Sequence, residues 1–326
     1  MRDARRIELT AWAAALVLVA GLVAAFSIQP AAPVQAAPED PTPVVSFKEV
    51  VTRVPVTPPP GPGKARPAPA PAARPRALAR SLGPPPGPQY DAPPAATAAP
   101  QDRYAFLAGI TDYRSPTHDT IGSARDVRLI AGLLESRGWL PENIRVVTDE
   151  QATGRAIRDG LTWLAGKSTP GTFTFFHYSG HVKQAGPTVK LWPVDRDFLP
   201  ETEVASLLRG GAGKLWVDIA GCEAGGFQVD LPSSRVLFTA SSTEAQKSYE
   251  YPDWGLSVWT GLLFDLGSGQ GAADANGNGA VTVGEAIRYA TYYAEAITLG
   301  QRPYGPQTPV SAGDSVRGWT LDAPPA

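Results

Sequence analysis

The sequence predicts an α/β fold, a mostly parallel β-sheet with helices on both faces, preceded by an N-terminal transmembrane helix and a disordered Pro/Ala-rich linker. Three observations carry this. Between residues 101 and 326, short β-rich runs alternate with runs of helical period, the pattern of strands joined by crossover helices. Residues 30–100 hold 21 of the 34 prolines, too many for a packed core. Ahead of them, Arg2, Arg5 and Arg6 precede an uncharged run of 20 residues, Leu9 to Ile28. The chain therefore divides into a membrane segment (1–29), a linker (30–101) and a folded domain (102–322).

Taken in order, the uncharged run matches the roughly 20 residues a spanning helix needs and exceeds the roughly 7 to 15 of a cleavable signal's apolar region. An uncleaved anchor is expected, with a cleaved signal as the alternative because "VQA" at 34–36 would serve as a small-residue cleavage site. Arginines ahead of the run keep that end cytoplasmic and send the rest across the membrane. The Pro/Ala alternation that follows offers few apolar side chains to bury and reads as an extended, partly polyproline-like tether. In the domain, "RYAFLAGI" (103–110) is the first strand, and Val127, Ile130, Leu133 and Leu134 form the apolar stripe of a helix that stops at Gly138. A strand at 143–149, a helix through "ATGRAIRDGLTWLAGK" and a strand at 172–178 follow. After a longer connection come a helix at 201–210, strands at 214–221 and 235–242, and helices at about 255–266 and 284–298.

In such sheets ligands bind beyond the C-terminal ends of the strands, and two reactive side chains fall there. His181 follows the third strand, and Cys222, the single cysteine of the chain, follows the fourth. A thiol becomes a good nucleophile when deprotonated, and a neighbouring histidine can take its proton and later pass it to a leaving amine. Ends of adjacent parallel strands lie about 5 Å apart, so the two can meet. Glycines flank both, in "YSGHV" and "AGCEAGG", leaving backbone N–H groups to face an oxyanion. Singly, a cysteine and a histidine are more often buried structural residues; at two consecutive strand ends they form a dyad. His177, four residues earlier, shares a strand face with Phe173 and Phe175 and belongs to the sheet layer, while His118 follows a strand and can approach the same end. A lone cysteine forms no intramolecular disulfide. Residues 101–326 carry 19 Lys and Arg against 25 Asp and Glu, net −6, which gives no nucleic-acid-binding surface.

These motifs carry a resemblance. "YAFLAGITDY", "SARDVRLIAGLLESRGW", "ENIRVVTDEQAT", "FTFFHYSGH", "LWPVDRDF" and "VDIAGCEAGG" resemble, in order and spacing over roughly 103–312, the landmarks of caspase-like cysteine peptidases, and look most like the bacterial metacaspase-type members. The resemblance implies a caspase-like fold and a cysteine endopeptidase acting on polypeptide substrates through a thioester, with His181 and Cys222 catalytic and no cofactor required for the chemistry. It implies an oxyanion hole from the backbone N–H groups of Cys222 and of the residue after the histidine, a glycine in the family and Val182 here. Two residues before the cysteine, metacaspases carry an acid that receives Arg or Lys; here it is Ala220. Asp218 shares strand parity with Cys222 but lies about 13 Å away at strand rise. Glu223 stands where metacaspases have histidine and the related legumains glutamate, so the candidate substrate pocket is Asp218, Ala220 and Glu223. With the anchor, the resemblance places the domain outside a bacterial cytoplasmic membrane, single-pass, periplasmic or extracellular. The alternative is a catalytically inactive caspase-fold binding module on the same tether, and a third reading is a cysteine hydrolase of non-peptide acyl groups.

"DANGNGAVTVGE" (274–285) fits the twelve-residue calcium loop: Asp274, Asn276 and Asn278 at positions 1, 3 and 5, Gly279 at 6, the Ala280 carbonyl at 7 and Glu285 at 12. Calcium is the cofactor this loop would take, and a polar turn is the alternative. On the resemblance alone, Asp195 and Asp197 are a second calcium candidate; as loop residues they would otherwise serve as caps.

Overall fold

The structure, a computed structural model, describes residues 98–230 and 235–324 together with Pro85. The spanning helix expected over 1–29 lies outside the described residues, as does the expected linker up to residue 97 apart from Pro85. Among the described residues no helix is long and apolar enough to cross a membrane.

The first strand, β1 (Arg103–Gly109), leads through α1 (Ser123–Ser136) to β2 (Ile144–Thr148), and α2 (Gly154–Lys167) leads back to β3 (Phe173–Ser179). A small antiparallel unit follows, β4 (Val182–Ala185), β5 (Thr188–Leu191) and β6 (Leu199–Pro200), then α3 (Glu201–Leu208), β7 (Lys214–Ala220) and β8 (Val236–Ala240). The hairpin β9 (Glu250–Tyr251) and β10 (Leu256–Ser257) precedes α4 (Val258–Thr260), which runs on as a π-helix over Gly261–Gly269, then α5 (Val283–Thr298) and β11 (Val310–Ala312). The main sheet has the order β2-β1-β3-β7-β8-β11, parallel throughout except for β11, which pairs antiparallel with β8.

Alternation along the strands sorts the core into two layers. Ala105 and Leu107 of β1 join Phe173, Phe175 and Trp216 under α1, α4 and α5, where Val127, Ile130 and Leu134 are fully buried. Phe106 and Ala108 face the other way, with Phe176, Val217 and Phe238, against Ile157, Leu161 and Leu164 of α2 and Val204 of α3. Each fully buried Leu, Ile or Phe contributes about 1.5 to 3 kcal/mol. Arg103 joins the two ends of the domain: fully buried, it donates to the carbonyls of Ala98, Thr320, Leu321 and Asp322 at 2.8 to 3.3 Å, and burial lowers its pKa to about 10.

Two elements differ from expectation. The helix expected at about 255–266 is a short strand, one α-turn and then π-helix, because apolar spacing identifies a buried helix without fixing whether its bonds run i to i+4 or i to i+5. The 182–200 connection contains the β4–β6 unit, whose turn at Gly186 (φ 64°) is marked in the sequence by Gly186-Pro187. From β1 the chain steps outward to β2 on one side, and from β3 it steps outward to β7 on the other, so the order of the connections reverses between β1 and β3. There, beyond their C-terminal ends, a crevice opens.

Candidate active site

Strands β3 and β7 run in register to Ser179 opposite Ala220, and Gly180 N–H continues the ladder to the Ala220 carbonyl at 3.1 Å. His181 and Cys222 come next on these two neighbouring strand ends. The glycines between are required by closeness. A Cβ on Gly221 would stand 2.7 Å from the Gly180 carbonyl, and one on Gly180 would stand 2.6 Å from the Tyr113 hydroxyl, both inside contact distance. Gly221 is further pinned by its N–H to Ser241 Oγ (2.9 Å) and by its carbonyl, which accepts from the Ser241 and Ser242 hydroxyls at 3.0 Å each.

His181 is held on all sides. Its N–H donates to the Tyr113 hydroxyl at 2.8 Å, its carbonyl accepts from Trp192 N–H at 3.1 Å, and its ring packs 4.6 Å from Tyr113 and 5.7 Å from Trp192. The ring Nε2 lies 2.7 Å from the His118 carbonyl. A carbonyl only accepts, so Nε2 carries the hydrogen and Nδ1 keeps its lone pair. Burial lowers the His181 pKa, which keeps the imidazole neutral near pH 7 and fit to accept a proton.

Cys222 is half-buried. Its Sγ accepts from Ser248 N–H at 3.4 Å and faces the Ser248 carbonyl at 3.8 Å. Burial pushes the thiol pKa up, against the smaller opposing pull of the Ser248 backbone and Lys247, so the resting sulfur is protonated. Glu223 follows with φ 61°, a left-handed backbone that turns the chain sharply after Cys222. Its N–H donates to the Gln246 carbonyl (2.8 Å), and its carboxylate accepts from Gln184 N–H (3.0 Å) and pairs with Lys247 (2.5 Å). Glu223 thus straps β4 to the 246–248 segment across Cys222.

Asp218 lies deeper. Fully buried, its carboxyl group meets His177 Nδ1 (2.8 Å), the Thr239 hydroxyl (2.5 Å) and Trp259 Nε1 (2.9 Å), three partners inside the sheet and helix layer. Ala220 is also buried, in the same layer. Val182 opens β4 opposite Leu191, and its φ is not among the positive ones, so it takes the glycine's place in extended backbone without strain.

Beside His181, at the reversal between β1 and β3, lies a cavity of about 510 Å³ lined by Pro116, Thr117, His118, His181, Lys183, Trp192, Arg196 and Phe198. Trp192 and Phe198 form an aromatic wall with ring centroids 5.2 Å apart, and the Lys183 ammonium sits 5.5 and 5.2 Å from their centres.

Comparison with known proteins bears on this arrangement. Residues 102–230, which include both strand ends, match the family described as the Caspase domain. This segment is a caspase-like domain of the metacaspase type. Its curated relatives include metacaspase-1 of Mycosarcoma maydis, 38% identical over 92 residues that cover 26% of this chain and 23% of the relative. Another is metacaspase-1 of Candida albicans, 35% identical over 83 residues, covering 24% and 18%. Metacaspase-1 of Schizosaccharomyces pombe is 35% identical over 86 residues, covering 24% and 20%. The chain thus spans about a quarter or less of the length of these relatives. Among solved structures, protein GSU0716 from Geobacter sulfurreducens superposes with a TM-score of 0.52 at 14% identity, covering 68% of this chain and 99% of that one; this likeness concerns the fold.

At the caspase-like domain's strand ends, His181 and Val182 follow β3 and Cys222 and Glu223 follow β7, the neighbouring strand, while Asp218 sits inside the layer. Asp195 accepts the Gly154 N–H (3.0 Å) at the start of α2, and Asp197 pairs with Arg158 (2.5 Å), which engages both as a cap and an ion pair. The 274–285 loop lies at the entrance to α5. Among the described residues no group of three His, Cys, Asp or Glu side chains is disposed to hold a metal; the loop's oxygens come mostly from amides and backbone. The residues that sequence reasoning missed are Tyr113, Ser248, Lys247 and the backbone oxygen of His118. A backbone carbonyl leaves no residue-type signal; what was readable is that His118 follows a strand.

Proposed function

We propose that this protein is a cysteine endopeptidase in which Cys222 is the nucleophile and His181 the general base and acid. The observation that carries the reading is the placement of the two residues on adjoining ends of β3 and β7, with the His118 carbonyl fixing the imidazole so that Nδ1 is the basic nitrogen. Both groups are neutral at rest, so substrate binding precedes activation. The Cys222 Sγ–H proton passes to Nδ1 as sulfur bonds to the scissile carbonyl carbon. The carbonyl oxygen becomes an oxyanion facing the N–H groups of Cys222 and Val182. Collapse breaks the C–N bond, and the proton on Nδ1 goes to the leaving amine; water then hydrolyses the thioester and returns the thiol.

Because His181 protonates the leaving amine, the residue after the scissile bond lies on the His181 side, against the cavity of Lys183, Arg196, Trp192 and Phe198. Two cations and an aromatic wall, with no carboxylate in the lining, suit an acidic side chain there. With Ala220 in place of an acid and Asp218 consumed by its partners, no carboxylate stands ready before the cysteine for Arg or Lys. A second reading, a binding module, draws on the protonated and hydrogen-bonded state of Cys222. The apolar run Leu9–Ile28 supports a membrane-tethered placement outside the cytoplasm.

The test is cleavage of a peptide library by wild type, Cys222→Ala and His181→Ala, read by mass spectrometry. Both variants should lose at least about 10³-fold in kcat/KM, with acidic residues enriched after the cleaved bond. A folded wild type that cleaves nothing and whose Cys222 alkylates sluggishly at pH 7 moves the protein to the binding class.

A further inference from the structure

Glu285 has a chemistry that the peptidase reading does not use. It is 1% exposed, and its Oε2 accepts both the N–H and the hydroxyl of Thr282 at 2.8 Å each, closing the capping box of α5. These bonds fold the carboxyl back over the ninth position of the 274–285 loop. Its other oxygen, Oε1, is buried with no hydrogen-bond partner among the described residues. A buried carboxyl oxygen left unpartnered is costly, and a cation is what most effectively compensates it.

The loop leading to that oxygen is already shaped to bring such a cation. Gly277 and Gly279, positions 4 and 6, have φ 70° and 83°, which reverse the chain twice within six residues. The Asp274 carboxylate turns inward to the N–H groups of Asn278 (3.2 Å) and Gly279 (2.9 Å), and the Asn276 and Asn278 side chains turn likewise to Asn278 (3.0 Å) and Ala280 (2.8 Å). α5 starts at Val283, position 10, so Glu285 enters from its first turn.

We propose that residues 274–285 bind one calcium ion, through Asp274, Asn276, Asn278, the Ala280 carbonyl and Glu285. All ligands are hard oxygens, and a flexible loop with five or more of them suits calcium over magnesium, which demands compact octahedral geometry. Two carboxylates give a weak site, with Kd on the order of 10⁻⁴ to 10⁻³ M, the range of extracellular modules. The ion's role is to hold α5. At the far end of that helix the Thr298 hydroxyl accepts from Gln307 N–H, and the Gln307 side chain accepts from Tyr249 N–H, both at 2.8 Å, one residue from Ser248 and its contact with Cys222. The inference is independent of the peptidase reading.

The experiment uses the full chain in detergent, stripped with a chelator. Its thermal midpoint and the heat of titration are measured with calcium chloride and with magnesium chloride, for wild type, Asp274→Ala, Glu285→Gln and Asn276→Ala. At 10 mM calcium the wild-type midpoint should rise by about 5 to 10 °C, magnesium should give a small fraction of that, and Asp274→Ala and Glu285→Gln should lose the rise. Asn276→Ala removes one amide ligand and leaves both carboxylates in place, so it should weaken calcium binding several-fold while the chain still folds. No calcium heat and no shift in the wild type overturns the proposal. So does an undiminished shift in Asp274→Ala and Asn276→Ala, which would put the ion elsewhere, or an equal response to magnesium.

Discussion

Asp218 illustrates how one residue's role is decided by its partners. From parity it faces the same way as Cys222, yet its carboxyl is taken up by His177, Thr239 and Trp259 in a fully buried cluster. Trp216 extends the cluster by donating to the Thr239 hydroxyl at 2.8 Å. Removing the carboxyl leaves several buried donors unmet at about 1 to 3 kcal/mol each. Asp218→Ala should therefore lower stability by about 3 to 5 kcal/mol, measured by denaturant unfolding of the full chain. Asp218→Asn keeps an acceptor and should fold, more weakly, with the residue preference before the cleaved bond unchanged. A changed preference in folded Asp218→Asn would return this residue to the substrate pocket.

At the scale of elements, the segment between β1 and α1 carries the His118 carbonyl, and its far end is held by Glu250 of β9, whose carboxylate accepts from Ile121 N–H (2.6 Å) and Gly122 N–H (2.8 Å). Burial raises the Glu250 pKa to about 7 from the ordinary 4.5, more than those two bonds lower it, and Asp126 adds a smaller push upward. Between pH 4.5 and 7 the folded protein holds a proton there that the unfolded chain has released, so this group's contribution to stability falls as pH rises through that window and is level above it. Melting midpoints of wild type and Glu250→Gln from pH 4 to 8 test this. The difference, wild type minus variant, should decline up to about pH 7 and then flatten; a flat difference throughout would refute it. The same elements show what the sequence can express. Strands β1, β3, β7 and β8 were legible as short β-rich runs, since the sheet is buried on both faces, and helices α1, α2 and α5 because each buries a periodic apolar face. Alternation along β3 placed His177 with Phe173 and Phe175 in the sheet layer. The hairpins β4–β5 and β9–β10 were not legible, since strands of two to four residues have too few positions to show a period. The Glu250 carboxylate holding two amides 128 and 129 residues away was illegible for a related reason: such a contact exists only once the fold has brought distant loops together.

At the scale of the whole molecule, the domain's charge and the apolar run make opposite demands. Residues 101–326 carry net −6, so their surface is repelled by anionic headgroups and gives no electrostatic binding to a membrane. The proposed attachment is through Leu9–Ile28, whose 20 residues, as helix, would extend about 30 Å, the thickness of a hydrocarbon core. Expressed in bacteria, the full chain should stay with membranes through alkaline carbonate extraction, and protease added to spheroplasts should remove the domain. A chain lacking residues 1–29 should appear in the soluble fraction. The 21 prolines between 30 and 100 should make the intervening segment the first place where that protease cuts. Release of the full chain by carbonate would end the anchor reading, and release as a species beginning just after Ala36 would identify a cleaved signal. Retention of the truncated chain on membranes would instead locate an attachment surface on the domain, against the sign of its charge.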